Sequence, residues 1–287
     1  MLSIFQAVII GLIQGITELF PISSLGHSVI IPRLLGWNIH QNDPYFLTFL
    51  VATHLATAIV LFLFFWKDWL RILKGLGRSF VARQIGPKDT YAKVGWLLVV
   101  GTVPAGVLGL LLDQSLRSLF ASAHFAAAFL ILNGFILFGA ERLRKRHNDQ
   151  NETTQESDRH IAKLTWSHAV GIGSAQAAAL LPGISRSGSS MAGGLLAGLN
   201  NEDAARFSFL LATPVIGAAA LLKLPSLFTS SLAPMRSAIL IGALCSAATA
   251  YLSVRFLITY FQTKTLTPFA VYCAIAGISF SLYFLVK

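Results

Sequence analysis

One carboxylate, one imidazole and one guanidinium stand in two stretches of this chain that are otherwise apolar, and serines and glycines crowd around each of them. The first stretch, QGITELFPISSLGH at 14–27, holds Glu18 and His27; the second, QAAALLPGISRSGSS at 176–190, holds Arg186. An ionisable group in a lipid-like setting costs several kcal/mol, so such a group marks a functional site. Brought together, the two stretches would supply an acid, a base, hydroxyls and an anion binder. Those are the parts needed to hold a phosphate-type group and attack it.

Each residue type has its own reading. Gln14 and Glu18 are four apart and share one helix face. Glu18 is the only acid before Asp43, which makes it a candidate general base or metal ligand, and Gln14 beside it is a candidate phosphate-binding residue. The structural alternative is a carboxyl that stabilises a helix break. Ser23, Ser24 and His27 follow Pro21. Serines there cap the next helix or bind phosphate, and one of them can act as a nucleophile. His27 could activate such a hydroxyl or attack phosphorus itself. Ser185, Ser187, Gly188 and Ser190 surround Arg186 just before a short helix. Backbone N–H groups, hydroxyls and the helix N-terminus then face an anion, and Arg186 adds a fork of donors for phosphate oxygens. A pairing of Arg186 with Glu18 that merely joins the two stretches is the structural alternative.

The two stretches are copies of one element. Gln14 falls on Gln176, Ile22 and Ser23 on Ile184 and Ser185, Ser24 on Arg186, and Gly26 on Gly188. The repeat extends to TFLVAT at 48–53 against SFLLAT at 208–213, and to LRSLF at 116–120 against LITYF at 257–261. Six runs are long enough to cross a bilayer: 46–66, 94–112, 123–140, 207–222, 237–261 and 268–286. Two regions, about 1–37 and 164–200, instead read as short helix, Pro/Gly/Ser break, short helix. These are predicted to be re-entrant hairpins, because broken backbone at membrane depth must be buried in protein or line a wet cavity. The fold class expected is an all-α polytopic membrane protein with an inverted repeat. Residues 1–143 and 164–287 each form one hairpin plus three spans, joined by a flexible cytoplasmic linker at 144–163.

Composition fits this arrangement. The chain has 287 residues, of which 55% are hydrophobic and 12% charged, with a mean hydropathy of +0.67. Its formal charge of +10 sits largely in two clusters, seven cations from Lys67 to Lys93 and six from Arg142 to Lys163. Clusters that flank apolar spans follow the positive-inside rule, so the expected partner is an anionic bilayer surface and no nucleic acid. With both clusters cytoplasmic, the first hairpin enters from outside and the second from inside. The N-terminal stretch lacks a basic leader and a cleavage site and reads as part of the mature fold. Cys245 and Cys273 read as packed thiols. His54, His124 and His168 read as ordinary helix histidines, Trp66, Trp69, Trp96 and Trp166 as an interfacial belt, and Arg255 as a snorkelling cation.

The two motifs carry a resemblance. QGITELFPISSLGH and PGISRSGSS look like the signatures of the bacterial undecaprenyl-diphosphate phosphatases of the bacitracin-resistance type. Gln stands at 14 where the family has Gln or Glu, and Ser190 where it has Thr. The resemblance implies hydrolysis of undecaprenyl diphosphate to undecaprenyl phosphate, the carrier lipid of cell-wall polymers, and protection against bacitracin. It further implies a divalent cation (Mg2+ or Ca2+), with Glu18 and Gln14 as its candidate ligands, and a multi-pass protein of the bacterial cytoplasmic membrane whose active site opens to the external face. It carries catalytic roles onto Glu18, Ser24, His27 and Arg186, with either Ser24 or His27 as the attacking group. A homodimer is the candidate assembly. The competing reading is a polyprenyl-phosphate flippase or secondary transporter, since paired broken helices are also a transport architecture. A single intramembrane acid beside a phosphate-type pocket argues for the hydrolase.

Overall fold

The computed structural model describes residues 2–40, 43–120, 122–144, 154–223 and 234–286. All of its described regular structure is helical, as expected where each backbone N–H and C=O must be satisfied within its own segment. Six helices are long and apolar enough to cross a membrane: Pro44–Phe64 (α3), Thr90–Leu112 within α5, Ala123–Arg144 (α6), Asn201–Leu221 within α10, Arg236–Phe261 (α11) and Thr267–Val286 (α12). Large apolar side chains such as Phe135, Leu240 and Ile275 face outward from them, the surface a bilayer would cover.

The two regions expected to be broken are helix pairs. α1 (Ile4–Leu19) and α2 (Ser24–Leu34) form the first, and α8 (Trp166–Ala177) and α9 (Arg186–Leu196) the second. Both begin with a capping box, Ser3 with Gln6 and Thr165 with His168, which satisfies N–H groups that the first turn leaves free. Pro21 and Pro182 then end the first helix of each pair. The residues before them, Phe20 and Leu181, are extended, the conformation a following proline enforces. Gly183 continues at φ +108, and a Cβ there would run into the Ala126 carbonyl, so only glycine fits the second break.

Small residues let the short helices sit deep. Gly15 of α1 packs directly on Ser246 and Ala250 of α11, and Gly173 of α8 on Gly101 of α5. Close backbone approach of this kind holds helices together where lipid removes the hydrophobic drive.

Three expectations change. Helix α10 (Asn201–Lys223) begins six residues before the apolar run at 207. Its polar first turn is capped by Asn200, which accepts from Asp203 N at 2.7 Å. Its buried Arg206 lies 3.1 Å from Asp68 and 2.6 Å from Asp158. Part of the basic segment at 67–93 is an amphipathic helix, α4 (Trp66–Ala82), and part of the linker expected to be flexible is α7 (Thr154–Ala162). Asp68 of α4 and Asp158 of α7 both meet Arg206, so the two segments are docked on α10; linker residues 145–153 lie outside the described residues. Trp69, expected in the interfacial belt, is buried in the core.

Candidate active site

The site is built where the two breaks touch. Ser23 caps α2 and its Oγ accepts from Gly26 N at 3.2 Å and from Gly183 N, across the repeat, at 3.1 Å. Ser187 Oγ donates to the Phe20 carbonyl at 3.2 Å. Asn133 of α6 clamps both breaks at once, donating to Pro21 O at 2.9 Å and accepting from Ser185 N at 3.0 Å. Buried backbone groups in irregular segments need partners, and here each break supplies them to the other.

Glu18 ends up at the centre. Its Oε2 accepts from Ser24 Oγ at 2.6 Å and from Gln14 Nε2 at 3.1 Å, and its Oε1 accepts from Arg186 Nε at 3.1 Å. His54 Nε2 lies 3.3 Å from the same Oε2. The His54 Nδ1–H donates to the Leu50 carbonyl at 2.7 Å, because a carbonyl can only accept. Nε2 then meets the carboxylate as a donor only when the ring carries both protons. Among the described residues the Arg186 side chain is engaged only through Nε. Its Nη1 and Nη2 are buried with no partner among them, leaving the fork that binds phosphate oxygens free.

These groups line one end of a cavity of about 630 Å3, a volume suited to a ligand rather than to scattered water. Glu18, Ser24, His54, Gln176, Ser185 and Arg186 form its polar part. Gly106, Gly109 and Leu110 of α5, Ala179 and Leu180 after α8, and Ala218 and Ala219 of α10 form apolar walls.

Of the other residues singled out by sequence, Ser185 lines the cavity and the rest are engaged elsewhere. Neither ring nitrogen of His27 faces Ser24: Nδ1 is 2.7 Å from Ser23 O and Nε2 is 2.8 Å from Tyr272 Oη. Since Nδ1–H must donate to the carbonyl, the neutral ring accepts from Tyr272 through Nε2. Ser23 and Ser187 are engaged in joining the breaks. Ser190 Oγ donates to Arg186 O at 2.8 Å and meets Ser208 Oγ at 2.6 Å, and Gly188 packs on Pro21. Ser185 caps α9, accepting from Gly188 N at 3.1 Å. Three participants were missed by sequence reasoning. His54 read as an ordinary helix histidine, and only its place within TFLVATH beside the repeat could have flagged it. Asn133 gave no signal beyond being a polar residue in a span, and Gln176 was noted only as the mate of Gln14.

The donor set also bears on a metal. Among the described residues Glu18 is the only carboxylate on the cavity wall, and both its oxygens already face donors. Among the described residues no group of three His, Cys, Asp or Glu is placed to hold a metal ion. Gln14 Oε1 is buried without a partner, but one amide oxygen and one carboxylate do not build a resident divalent site.

Comparison with known proteins agrees with the motifs. The sequence model of "Bacitracin resistance protein BacA" matches residues 7–279. The chain is 48% identical to an undecaprenyl-diphosphatase of Mycolicibacterium paratuberculosis, over 96% of this chain and 95% of the relative. It is 44% identical to an undecaprenyl-diphosphatase of Granulibacter bethesdensis, over 95% and 94%. It is 41% identical to undecaprenyl-diphosphatase 2 of Burkholderia ambifaria, over 99% and 98%. Similarity of this extent, running through both motifs and all six spans, makes the chain a member of the bacitracin resistance protein BacA family.

Proposed function

We propose that this multi-pass bacterial membrane protein hydrolyses undecaprenyl diphosphate to undecaprenyl phosphate and inorganic phosphate. That reaction recycles the carrier lipid for cell-wall polymers and gives bacitracin resistance. The observation that carries the reading is the 2.6 Å contact from Ser24 Oγ to Glu18, beside an arginine with two free Nη groups, at the polar end of an otherwise apolar cavity. A hydroxyl donating to a buried carboxylate is an activated nucleophile, and a free guanidinium fork is a phosphate clamp.

The steps follow from those contacts. Arg186 Nη1 and Nη2 hold the terminal phosphoryl group. Ser24 Oγ attacks its phosphorus as the hydroxyl proton passes to Glu18 Oε2, and the bond to the bridging oxygen breaks. The electron pair leaves on the lipid phosphate. Water then attacks the phosphoserine, the proton returns to Ser24 Oγ, and inorganic phosphate is released. Glu18, rather than His27, is the base in this scheme, because both His27 nitrogens have other partners. His27 instead fixes the Ser23 carbonyl next to the nucleophile, and His54 holds Glu18 in place.

A divalent cation, Mg2+ or Ca2+, would enter in this reading as a counter-ion carried by the diphosphate, not as a resident held by Glu18 and Gln14. No step is routed through it. An inverted repeat with re-entrant hairpins is supported by packing that interchanges between the halves: α1 lies on α11 as α8 lies on α5. An outward-facing site is supported by charge and depth. The basic segments around α4 and α7 meet at Arg206, which supports a cytoplasmic end at the starts of α5 and α10. Gly109 and Ala219, on the cavity wall, lie roughly 27 Å further along those helices at 1.5 Å per residue. The test is phosphate release by the purified protein from a polyprenyl diphosphate, with and without chelator. No release under any cation condition would overturn the reading.

A further inference from the structure

Gln176 carries an observation that the scheme above does not use. It is 2% exposed, lines the cavity, and neither its Nε2 nor its Oε1 has a partner among the described residues. A buried amide left unpaired costs about 1–3 kcal/mol, and the great majority of such groups are satisfied. The repeat explains how this one came to be free. In the first copy Gln14 donates to Glu18, four residues on; in the second, the residue four on from Gln176 is Leu180, which offers nothing to pair with. The chain therefore presents the amide to the cavity.

We propose that Gln176 is a direct ligand of the terminal phosphoryl group, acting with Arg186; this rests on the phosphatase reading. Depth argues for the terminal group. Gln176 lies about 15 Å along α8 from its cytoplasmic start, and its wall neighbour Thr102 about 18 Å along α5. The apolar wall residues Gly109 and Ala219 lie further out, where the polyprenyl end leaves the site. A ligand entering from outside puts its terminal phosphoryl at the inner, polar end, where Glu18, His54 and Gln176 are. An amide also adds what a guanidinium lacks, an acceptor: Nε2 donates to a phosphate oxygen while Oε1 accepts from a protonated phosphate oxygen.

The experiment compares wild type with Gln176→Met and Gln176→Glu, purified in detergent micelles. Two readouts are used: steady-state hydrolysis of a polyprenyl diphosphate, and the rise in thermal midpoint on adding inorganic phosphate. Met keeps the length but makes no hydrogen bond. The KM should rise about tenfold or more, as for loss of a bond to a charged group, with kcat within about threefold, the pattern of a contact made before and during the reaction. The stabilisation by inorganic phosphate should be lost, while the midpoint without phosphate stays or rises, because an unpaired buried amide has been removed. Gln176→Glu should weaken phosphate binding further by like-charge repulsion. Unchanged phosphate stabilisation in both variants would overturn the proposal, as would a drop in the phosphate-free midpoint of Gln176→Met with KM intact. Failure of the phosphatase reading looks different: wild type would then release no phosphate from the lipid, whatever inorganic phosphate does to its midpoint.

Discussion

Replacing Glu18 with Gln tests the centre of the site, because one carboxylate there receives Ser24, Gln14, Arg186 and His54. The substitution keeps the volume and removes the charge. Arg186, 12% exposed at its side chain, then loses the one ion pair it makes among the described residues. Breaking a buried pair costs about 3–5 kcal/mol; the low end, about 3 kcal/mol, applies because Nη1 and Nη2 face a cavity. Loss of the base removes a further factor of about 10²–10⁴ in rate. Glu18→Gln should therefore lower turnover about a thousandfold, or roughly 4 kcal/mol in the barrier, and destabilise measurably. Adding Arg186→Gln separates the two effects. Removing both members of a buried pair is close to neutral, so the double variant should regain about 2 kcal/mol of stability and no activity. Phosphate release and unfolding in detergent micelles measure the two quantities. Turnover of Glu18→Gln within threefold of wild type, or stability losses that simply add in the double variant, would refute the reasoning.

Other outcomes follow from the same contacts. Ser24→Ala should abolish turnover and any trapped phosphoenzyme, whereas His27→Ala, which cuts the contact to Tyr272, should slow it by about tenfold. A phosphohistidine trapped at His27 would reverse that assignment. Arg186→Lys should recover little of the activity lost in Arg186→Ala, since an ammonium cannot span two phosphate oxygens; kinetics of the two variants side by side decide it. Gly183→Ala should cost several kcal/mol, because its φ of +108 and the nearby Ala126 carbonyl leave no room for a methyl group. Thermal unfolding checks this, and a variant as stable as wild type would count against the break geometry. Chelation should suppress phosphate release and added Mg2+ restore it, with the thermal midpoint unmoved, since no three metal-ligating groups come together among the described residues.

Much of this protein is legible locally. Hydropathy located all six spans, five of them to within about four residues at either end, since a helix in lipid needs a long apolar run whatever surrounds it. Pro21, Pro182 and Gly183 located both breaks, since proline and a left-handed glycine act on their own backbone. Spacing put Gln14 and Glu18 on one face, and in the fold Gln14 donates a hydrogen bond to Glu18. Errors arose where a partner lay far off in sequence. The start of α10 was missed because hydropathy counts Arg206 as a cost, while Asp68 and Asp158 neutralise it from two other helices. The linker helix α7 was missed for the same reason, its docking charge being on α10. Within the site, sequence named Glu18, Ser24 and Arg186 but left open which group serves the nucleophile. Only the tertiary fold turned Ser24 toward Glu18 and both His27 nitrogens away. Likewise it brought His54 from α3 to the carboxylate, let Asn133 bridge the two breaks, and left the Gln176 amide facing the cavity without a partner. Helix periodicity fixes which face a residue occupies, but what stands opposite that face depends on which helices pack together, and small-residue contacts such as Gly15 on α11 and Gly173 on α5 set that over separations no local pattern spans.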